Sequence, residues 1–571
     1  MHAKPALFPI ATALRAGLKD YSLKTFRADF TAGLIVSLVA LPLSMALAIA
    51  VGLPPQHGLY TAIVAGIVTA LLGGSPTQVS GPTAAFVVIV APIVTQYGLH
   101  GIIWCQILAG IFLILMGVAR AGKLIHFVPY PVTTGFTAGI AVTIATLALN
   151  DFLGLGIAKL SGHYVEKAAT IWHALPGFTP QEALIGFATL VTIFALPKIT
   201  TRIPGPVGGI LLGTAISFVL VKMGYSVDTL NTRFSYVAPD GATLPGIPPY
   251  APSFHLPGSG ELFAIPDFRE LQTLLMPALV IAALGALESL LSATVADSMA
   301  RTRHDPNAEL NGIGIANIFS GLASGIPATG ALARTAANIH AGAKTPFAAI
   351  IHALLILFYT VTLASYISYI PMAALAALLL SVAWRMSHVH QFMRIVQLAP
   401  RSDVIVLLTC FVLTVLIDMV AGVSVGMVMA SLLFMTRVAD ATQLHVSAPG
   451  KADLAHGELP AGVMVYRIEG PLFFGSVDKM IAGADLISQD IRKLVIDLTH
   501  VPMIDMTGMI GMKTFLEAVA REGREVVICG HDSVTGRIRR KIAGAPYTAH
   551  VHTDETVAAA LKSLKTGVFN T

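Results

Sequence analysis

Charge is scarce in this chain. Of 571 residues, 12% are Asp, Glu, Lys or Arg and 55% are apolar, whereas a soluble domain carries about 25% charged residues. A soluble globular protein is thereby excluded. Not one charged residue occurs between Asp29 and Arg120, and since a spanning helix needs roughly 20 apolar residues, three or four membrane segments fit in that stretch alone. Cysteine is almost missing as well. Cys105, Cys410 and Cys529 lie far apart, which rules out a disulfide framework or metal-ligand spacing and leaves apolar packing as their role. No phosphate-binding loop, dinucleotide fingerprint or metal-ligand cluster is present. Enzyme chemistry and nucleotide-driven transport therefore have no motif, and no cofactor or metal is expected. The apolar stretch after Met1 is short and runs into Lys and Arg, so a cleaved signal peptide is not expected either.

The charge that exists is unevenly placed. Residues 1–440 hold 22 basic and 17 acidic residues, and the remaining 131 hold 14 of each. That contrast predicts a cytoplasmic N-terminal segment (1–30), a membrane domain (31–437) and a soluble tail (438–571). Lys4, Arg15, Lys19, Lys24 and Arg27 precede the first apolar run, which places the N-terminus in the cytoplasm and accounts for the basic balance without a nucleic-acid partner.

Apolar runs fall near 31–53, 58–73, 82–95, 101–118, 132–149, 183–197 and 206–222, then near 274–294, 311–325, 328–341, 346–366, 369–384, 403–420 and 422–436. The basic loops Arg120/Lys123, Lys198/Arg202, Arg301/Arg303 and Arg385/Arg394/Arg401 each follow an even-numbered run. All then face the side of the N-terminus, and fourteen spans return the C-terminus there. A Pro-, Gly- and Ser-rich connector, about 224–268, separates seven runs from seven. An odd number per half turns the halves upside down relative to each other, the plan of an inverted-repeat transporter. The short third and tenth runs correspond, and both are interrupted by Gly and Pro. Such paired breaks are the best sequence pointer to a binding site. Beyond Arg437, strand signals at 463–468, 494–498 and 526–529 alternate with helical stretches near 476–489 and 508–521, an α/β pattern.

In the third run, Ser80-Gly81-Pro82-Thr83-Ala84-Ala85 is expected to start a helix in mid-membrane, with Pro82 in its first turn; Ile326 to Thr335 repeats the arrangement in the tenth. Two helix N-termini meeting head to head offer an anion N–H donors and partial positive charge without a lysine. Arg334 is the one basic residue of the tenth run, and an intramembrane cation is a functional candidate by default. Glu288, within LGALESLLSATVAD, is the candidate proton-coupling carboxylate, with Ser292 four residues on along the same helical face; Asp297 is expected to pair with the basic loop. Asn307, Glu309, Asn311 and Asn317 are expected to cap or pack the ninth run, and His304 to be a solvated loop residue.

At these residues the chain resembles the SulP family of anion permeases and exchangers. The likeness rests on PQHGLY (Pro55–Tyr60), Gly74-Ser75, SGPTAA (Ser80–Ala85), GALESLL (Gly285–Leu291), the segment Gly330–Pro346 and a C-terminal STAS domain. Within the family it is most similar to DauA-type C4-dicarboxylate transporters. The resemblance implies an α-helical polytopic membrane protein of 7+7 inverted repeats, in which a core (spans one to four and eight to eleven) moves against a gate in an elevator-like cycle. It further implies that Thr83, Ala84, Gly330 and Ala331 form the anion site, that Arg334 is the family's tenth-span arginine, and that Glu288 stands at its eighth-span acidic position. Leu332 offers no oxygen where sodium-coupled members carry Thr, which favours protons. Leu43 and Leu47 replace a Gln and an aromatic residue of many members, which makes the pocket less polar. In the tail, Val501–Gly508 (VPMIDMTG) matches the STAS strand-to-helix motif, with Met506 where bacterial regulators carry a phosphorylatable Ser; Asp505 and Thr507 are left as regulatory or capping candidates.

The expectation is a proton-coupled importer of C4-dicarboxylates such as succinate, fumarate or aspartate in a bacterial inner membrane. The alternatives are a sulfate or bicarbonate transporter or exchanger, and a membrane-anchored STAS regulator. Expected partners are the small anion, protons, the lipid bilayer, a second copy in a homodimer and a cytoplasmic protein on the STAS domain.

Overall fold

Long apolar runs in lipid find no backbone partners in the solvent, and a helix answers this by satisfying all N–H and C=O groups but those of its ends internally. The computed structural model describes residues 8–123, 128–158, 160, 162–200, 203–447, 452–453, 457–482, 487–488, 490–543 and 548–566. Lys4, Arg202 and the C-terminal part of the expected 476–489 helix lie outside them. The chain divides into two units, Met1–Met427 and Val428–Thr571.

In the first repeat, helices α1 (Leu23–Ala50), α2 (Pro55–Leu72), α3 (Val87–Val118), α4 (Tyr130–Leu153), α5 (Tyr164–Ala174), α6 (Pro180–Ile199) and α7 (Gly205–Lys222) follow in order. The second contains α8 (Phe268–Ala300), α9 (Pro306–Leu322), α10 (Leu332–His340), α11 (Phe347–Ile367), α12 (Met372–Met386), α13 (Val389–Leu398), α14 (Arg401–Leu416) and α15 (Met419–Ala441). Ten helices among the described residues are long and apolar enough to cross a membrane. Helices α9, α10 and α14 are shorter, α12 reaches that length only together with α13 (Met372–Leu398), and α3 holds two segments that meet at Gly98, whose φ of 63° suits a residue without Cβ. Fourteen segments result, in the predicted order. Two short helices, α5 and α13, were missing from the sequence reading; each links the fifth segment of its repeat to the sixth.

Packing sorts the segments into two bundles. One contains α1, α2, α3, α8, α9, α10 and α11: α9 packs on α3 and α2, α11 on α1 and α2, and α8 on α3 and α10. The other contains α4, α6, α7, α12 and α14, with α4 against α12 and α14 and α6 against α7 and α12. These are the expected core and gate. In a bilayer no hydrophobic force drives helices together, so close approach of small residues substitutes for it. At the α3–α9 crossing, a Cβ on Gly110 would lie 2.5 Å from the Gly314 carbonyl oxygen, and one on Gly314 2.7 Å from that of Gly110.

Several loops differ from expectation for local reasons. Helix α1 starts at Leu23, capped by the Ser22 hydroxyl, which accepts from Thr25 N at 3.2 Å. It carries Asp29 into the bundle, where the carboxylate accepts from Lys344 N (2.7 Å), Thr345 N (3.1 Å) and Thr345 Oγ1 (2.5 Å). His304 is not solvated: its backbone N–H and Nδ1 meet Asp297 Oδ2 at 2.9 and 2.7 Å, and its side chain is 11% exposed. Asp297 thus holds the loop through His304 and Thr302 rather than through the arginines.

The second unit is the predicted α/β domain. Strands Gln443–Ser447, Val463–Glu469, Lys493–Asp497, Glu525–Cys529 and Val551–Asp554 form one sheet, with the last four parallel and the first antiparallel at the edge. Helices Met506–Arg521 and Asp532–Ile542 cover it. Asp497 ends the third strand, where Thr499 N and Oγ1 donate to Oδ1 (3.0 and 2.6 Å) and Arg467 Nε to Oδ2 (2.7 Å). Burial opposes its ionisation, but these bonds outweigh it and hold the carboxyl below its ordinary range.

Two outcomes follow from this packing. Gly314→Ala should force α3 from α9 and cost about 1–3 kcal/mol, seen as a lower thermal midpoint of the purified protein. A carboxyl with a depressed pKa stabilises the fold above its unfolded pKa, and that stability is lost as pH falls through the folded pKa. The tail should therefore weaken on acidification below about pH 4, and Asp497→Asn should be less stable at pH 7 but lose less on acidification.

Candidate functional site

Neither break begins its helix where the sequence suggested. Ser80–Gly81 (β1) and Thr329–Gly330 (β2) are extended and pair antiparallel, Ser80 opposite Gly330 and Gly81 opposite Thr329. The helices follow only at Ala84, as a 3-10 turn leading into α3, and at Leu332. Pro82 therefore precedes the first turn instead of occupying it, because the ladder holds the chain extended up to Gly81. The outcome is the expected one in position: two helix N-termini on either side of one short ladder, each with first-turn N–H groups that the helix does not satisfy.

The ladder is held from three sides. Ala331 N donates to Val79 O at 2.9 Å, and Val79 N donates to Thr335 Oγ1 at 3.1 Å. From α8, Ser289 Oγ accepts from Gly330 N (3.0 Å) and lies 2.7 Å from Thr329 Oγ1, which donates to Gly285 O (3.1 Å). From α9, Asn317 brackets Ala328 with two 2.9 Å bonds, while Glu309 accepts from Gly74 N (2.8 Å), Ser75 N (3.0 Å) and Gln78 Nε2 (2.7 Å). The polar patch on the ninth span thus packs, as expected, and two of its members, Glu309 and Asn317, do so against the ladder and its approach.

Thr83, Ala84, Glu288, Gly330 and Ala331, all sequence-predicted, sit at this junction. Thr83 Oγ1 donates to Glu288 Oε2 at 3.0 Å, which ties the third-span break to α8. Ala84 and Ala331 are buried at the two N-termini (5% and 7% exposed). Gly330 lies in the ladder, and a Cβ there would come 2.2 Å from Gln78 Nε2. Ser292 Oγ donates to Thr335 Oγ1 at 3.3 Å and so braces α10. On α1, Leu47 is buried and Leu43 half-buried. Sequence reasoning missed the roles of Ser289 and Thr335 and gave Asn317 and Glu309 only a packing role on the ninth run. A signal existed for Ser289: Gly285, Glu288, Ser289 and Ser292 recur at helical spacing, so they line one face of α8.

Arg334 is 3% exposed and reaches across the ladder to donate through Nη2 to Pro82 O. Its Nε and Nη1 have no hydrogen-bond partner. Gly81, at φ 155°, gives the guanidinium room, since a Cβ there would stand 2.8 Å from Nη1. A buried cation with two unsatisfied donor nitrogens beside two helix N-termini is an anion-seeking arrangement. Between the bundles a cavity of about 730 Å³ opens beside the start of α3 (Val87, Ala91) and α12 (Leu375, Leu379), with Arg233 and Lys167 at its edge. Neither Leu43, Leu47 nor any ladder residue lines it. In the tail, Asp505 caps its helix by accepting from Gly508 N at 2.6 Å, whereas the exposed Thr507 lies in the first turn.

A polytopic helical fold that brings two helix starts and a buried arginine together is suited to an anion transporter. The sulfate permease family model matches residues 26–410 and the STAS domain model residues 458–560; the chain belongs to the sulfate permease family. It is 37% identical over 516 residues to the putative sulfate transporter YvdB of Bacillus subtilis, with 90% of this chain and 93% of that protein covered. It is 28% identical to the bicarbonate transporter BicA of Picosynechococcus, with 95% of each covered. The murine Solute Carrier 26 family member A9 structure, at 18% identity, shares the fold with a TM-score of 0.82 over 97% of this chain and 94% of that one.

Gly81→Ala should push the Arg334 guanidinium off its position and weaken anion binding roughly ten- to hundred-fold, measured by titration calorimetry with sulfate, while Thr83→Val should leave Arg334 in place and weaken it less.

Proposed function

We propose that the protein is a secondary active carrier of a small inorganic oxyanion, sulfate foremost, with its termini on the cytoplasmic side of a bacterial inner membrane. The observation that carries this reading is Arg334, buried at the head-to-head helix starts with Nε and Nη1 unpartnered. A tetrahedral dianion supplies several acceptor oxygens to such donors, and backbone amides need no lysine to hold it. The name of the 37% identical relative supports sulfate. Bicarbonate is the second reading, supported by the name of the 28% identical one. The C4-dicarboxylate expected from the sequence finds no support among these relatives and is a comparison arm of the test. Movement of the core bundle against the gate carries the anion, and Glu288, tied to Thr83 at the break, is the coupling carboxylate for a co-transported proton. A homodimer and a protein docking on the STAS domain complete the proposed assembly.

Uptake of labelled sulfate, bicarbonate and succinate into vesicles holding the purified protein tests this reading. Sulfate should saturate first, be accelerated by an inward proton gradient and be indifferent to sodium; Arg334→Gln should abolish it, and Glu288→Gln should remove the effect of the gradient. Succinate outcompeting sulfate would restore the dicarboxylate reading. Absence of saturable flux of any anion would leave a membrane-anchored regulator.

A further inference from the structure

Helix α13 buries none of its residues, yet it links two membrane segments and is strongly sided. At 100° per residue, the half-buried Phe392, Ile395 and Val396 share one side, and Phe392 meets Phe411 of α14 edge to face with centroids 5.5 Å apart. Tyr130 of α4 donates to Gln391 Oε1 at 2.8 Å, which secures the helix to the gate bundle. The next flank carries Val389 and Met393, 43% and 46% exposed, and the flank beyond it His390 and Arg394. Protein, bare apolar surface and basic surface thus follow one another around the helix. That is the pattern of a helix lying in the plane of a membrane interface. Trp384, 63% exposed at the end of α12, sits where interfacial aromatics gather.

Three arginines mark this corner. Arg385 closes α12, Arg394 lies midway along α13 and Arg401 opens α14, and all three are exposed. No Asp or Glu occurs between Glu309 and Asp403, and Asp403 is half-buried in the first turn of α14. In the first repeat, α5 holds the equivalent place, with Val165 and Trp172 61% and 72% exposed, but its only Lys or Arg is Lys167, beside Glu166. The repeat therefore supplies an amphipathic helix twice, and only α13 is flanked by three arginines.

We propose that Arg385, Arg394 and Arg401 form a docking surface for anionic phospholipid headgroups, with α13 lying in the bilayer interface. The lipid phosphates accept from the guanidinium forks while Val389 and Met393 enter the acyl boundary, so that the gate bundle rests on lipid. The proposal concerns a surface away from the anion site and stands independently of the transported substrate.

Retention of phosphatidylglycerol by the full-length protein, counted by native mass spectrometry after extraction from vesicles of phosphatidylcholine with phosphatidylglycerol, tests it. Each arginine removed should weaken retention roughly five-fold, so Arg394→Gln should reduce it and the triple glutamine variant nearly abolish it. The triple lysine variant should keep part, Lys222→Gln on α7 should keep all, and added inorganic phosphate should not displace the lipid. Equal retention by wild type and the triple glutamine variant, both monodisperse, would overturn the proposal, as would equal loss in Lys222→Gln or displacement by free phosphate. Thermal midpoints of the variants in detergent separate lost lipid from lost fold.

Discussion

Two unwound stretches inside a membrane bundle would each strand several backbone groups in a medium that offers them nothing. The four-residue ladder between Ser80–Gly81 and Thr329–Gly330 is what makes both tolerable, because each break supplies the partners the other lacks. What the ladder leaves over is absorbed by side chains aimed at it: Ser289 from α8, Asn317 from α9, Thr335 from α10, and Thr61 from α2, whose Oγ1 accepts from Ile326 N at 2.6 Å. The core bundle is assembled around these bonds. Its helices come from both repeats, so neither half of the sequence contains a complete set.

The same constraint explains the chemistry. A helix that starts inside the membrane cannot satisfy its first N–H groups by itself, and polar side chains here take up the backbone before the helix start rather than the start itself. That leaves donors where an anion can use them, with Arg334 turned back across the ladder onto Pro82 O. Glycine appears at the contact points because anything larger would displace a partner: at Gly81 the guanidinium, at Gly330 the Gln78 amide.

Much of this was legible in the sequence because the membrane makes composition speak. Run lengths gave the fourteen segments, the Gly/Pro interruptions gave the two breaks, and scarcity of charge singled out Glu288 and Arg334. The ladder was not legible, since two residues of extended chain leave no periodicity and their partner lies in the other repeat. The bracing residues escaped for a related reason: Ser289 and Asn317 act across the bundle, and a lone polar residue on an apolar helix reads as packing until its neighbour is known. Helices α5 and α13 leave no signal of that kind, because a search for uniformly apolar runs misses a helix with one bare apolar flank. His304 reads as solvated in the sequence because nothing there shows that the loop turns it back onto Asp297.

A ladder that joins the two repeats also sets a schedule. Its strands are separated by about 250 residues of chain, which a ribosome working at roughly 5–20 residues per second needs on the order of 10–50 s to make. Throughout that interval the break at Ser80–Gly81 is already synthesised and has no cross-strand partner. The newborn protein must therefore keep this segment wet, or shielded by the insertion machinery, until Thr329–Gly330 arrives. Slow translation through the connector would prolong that exposure.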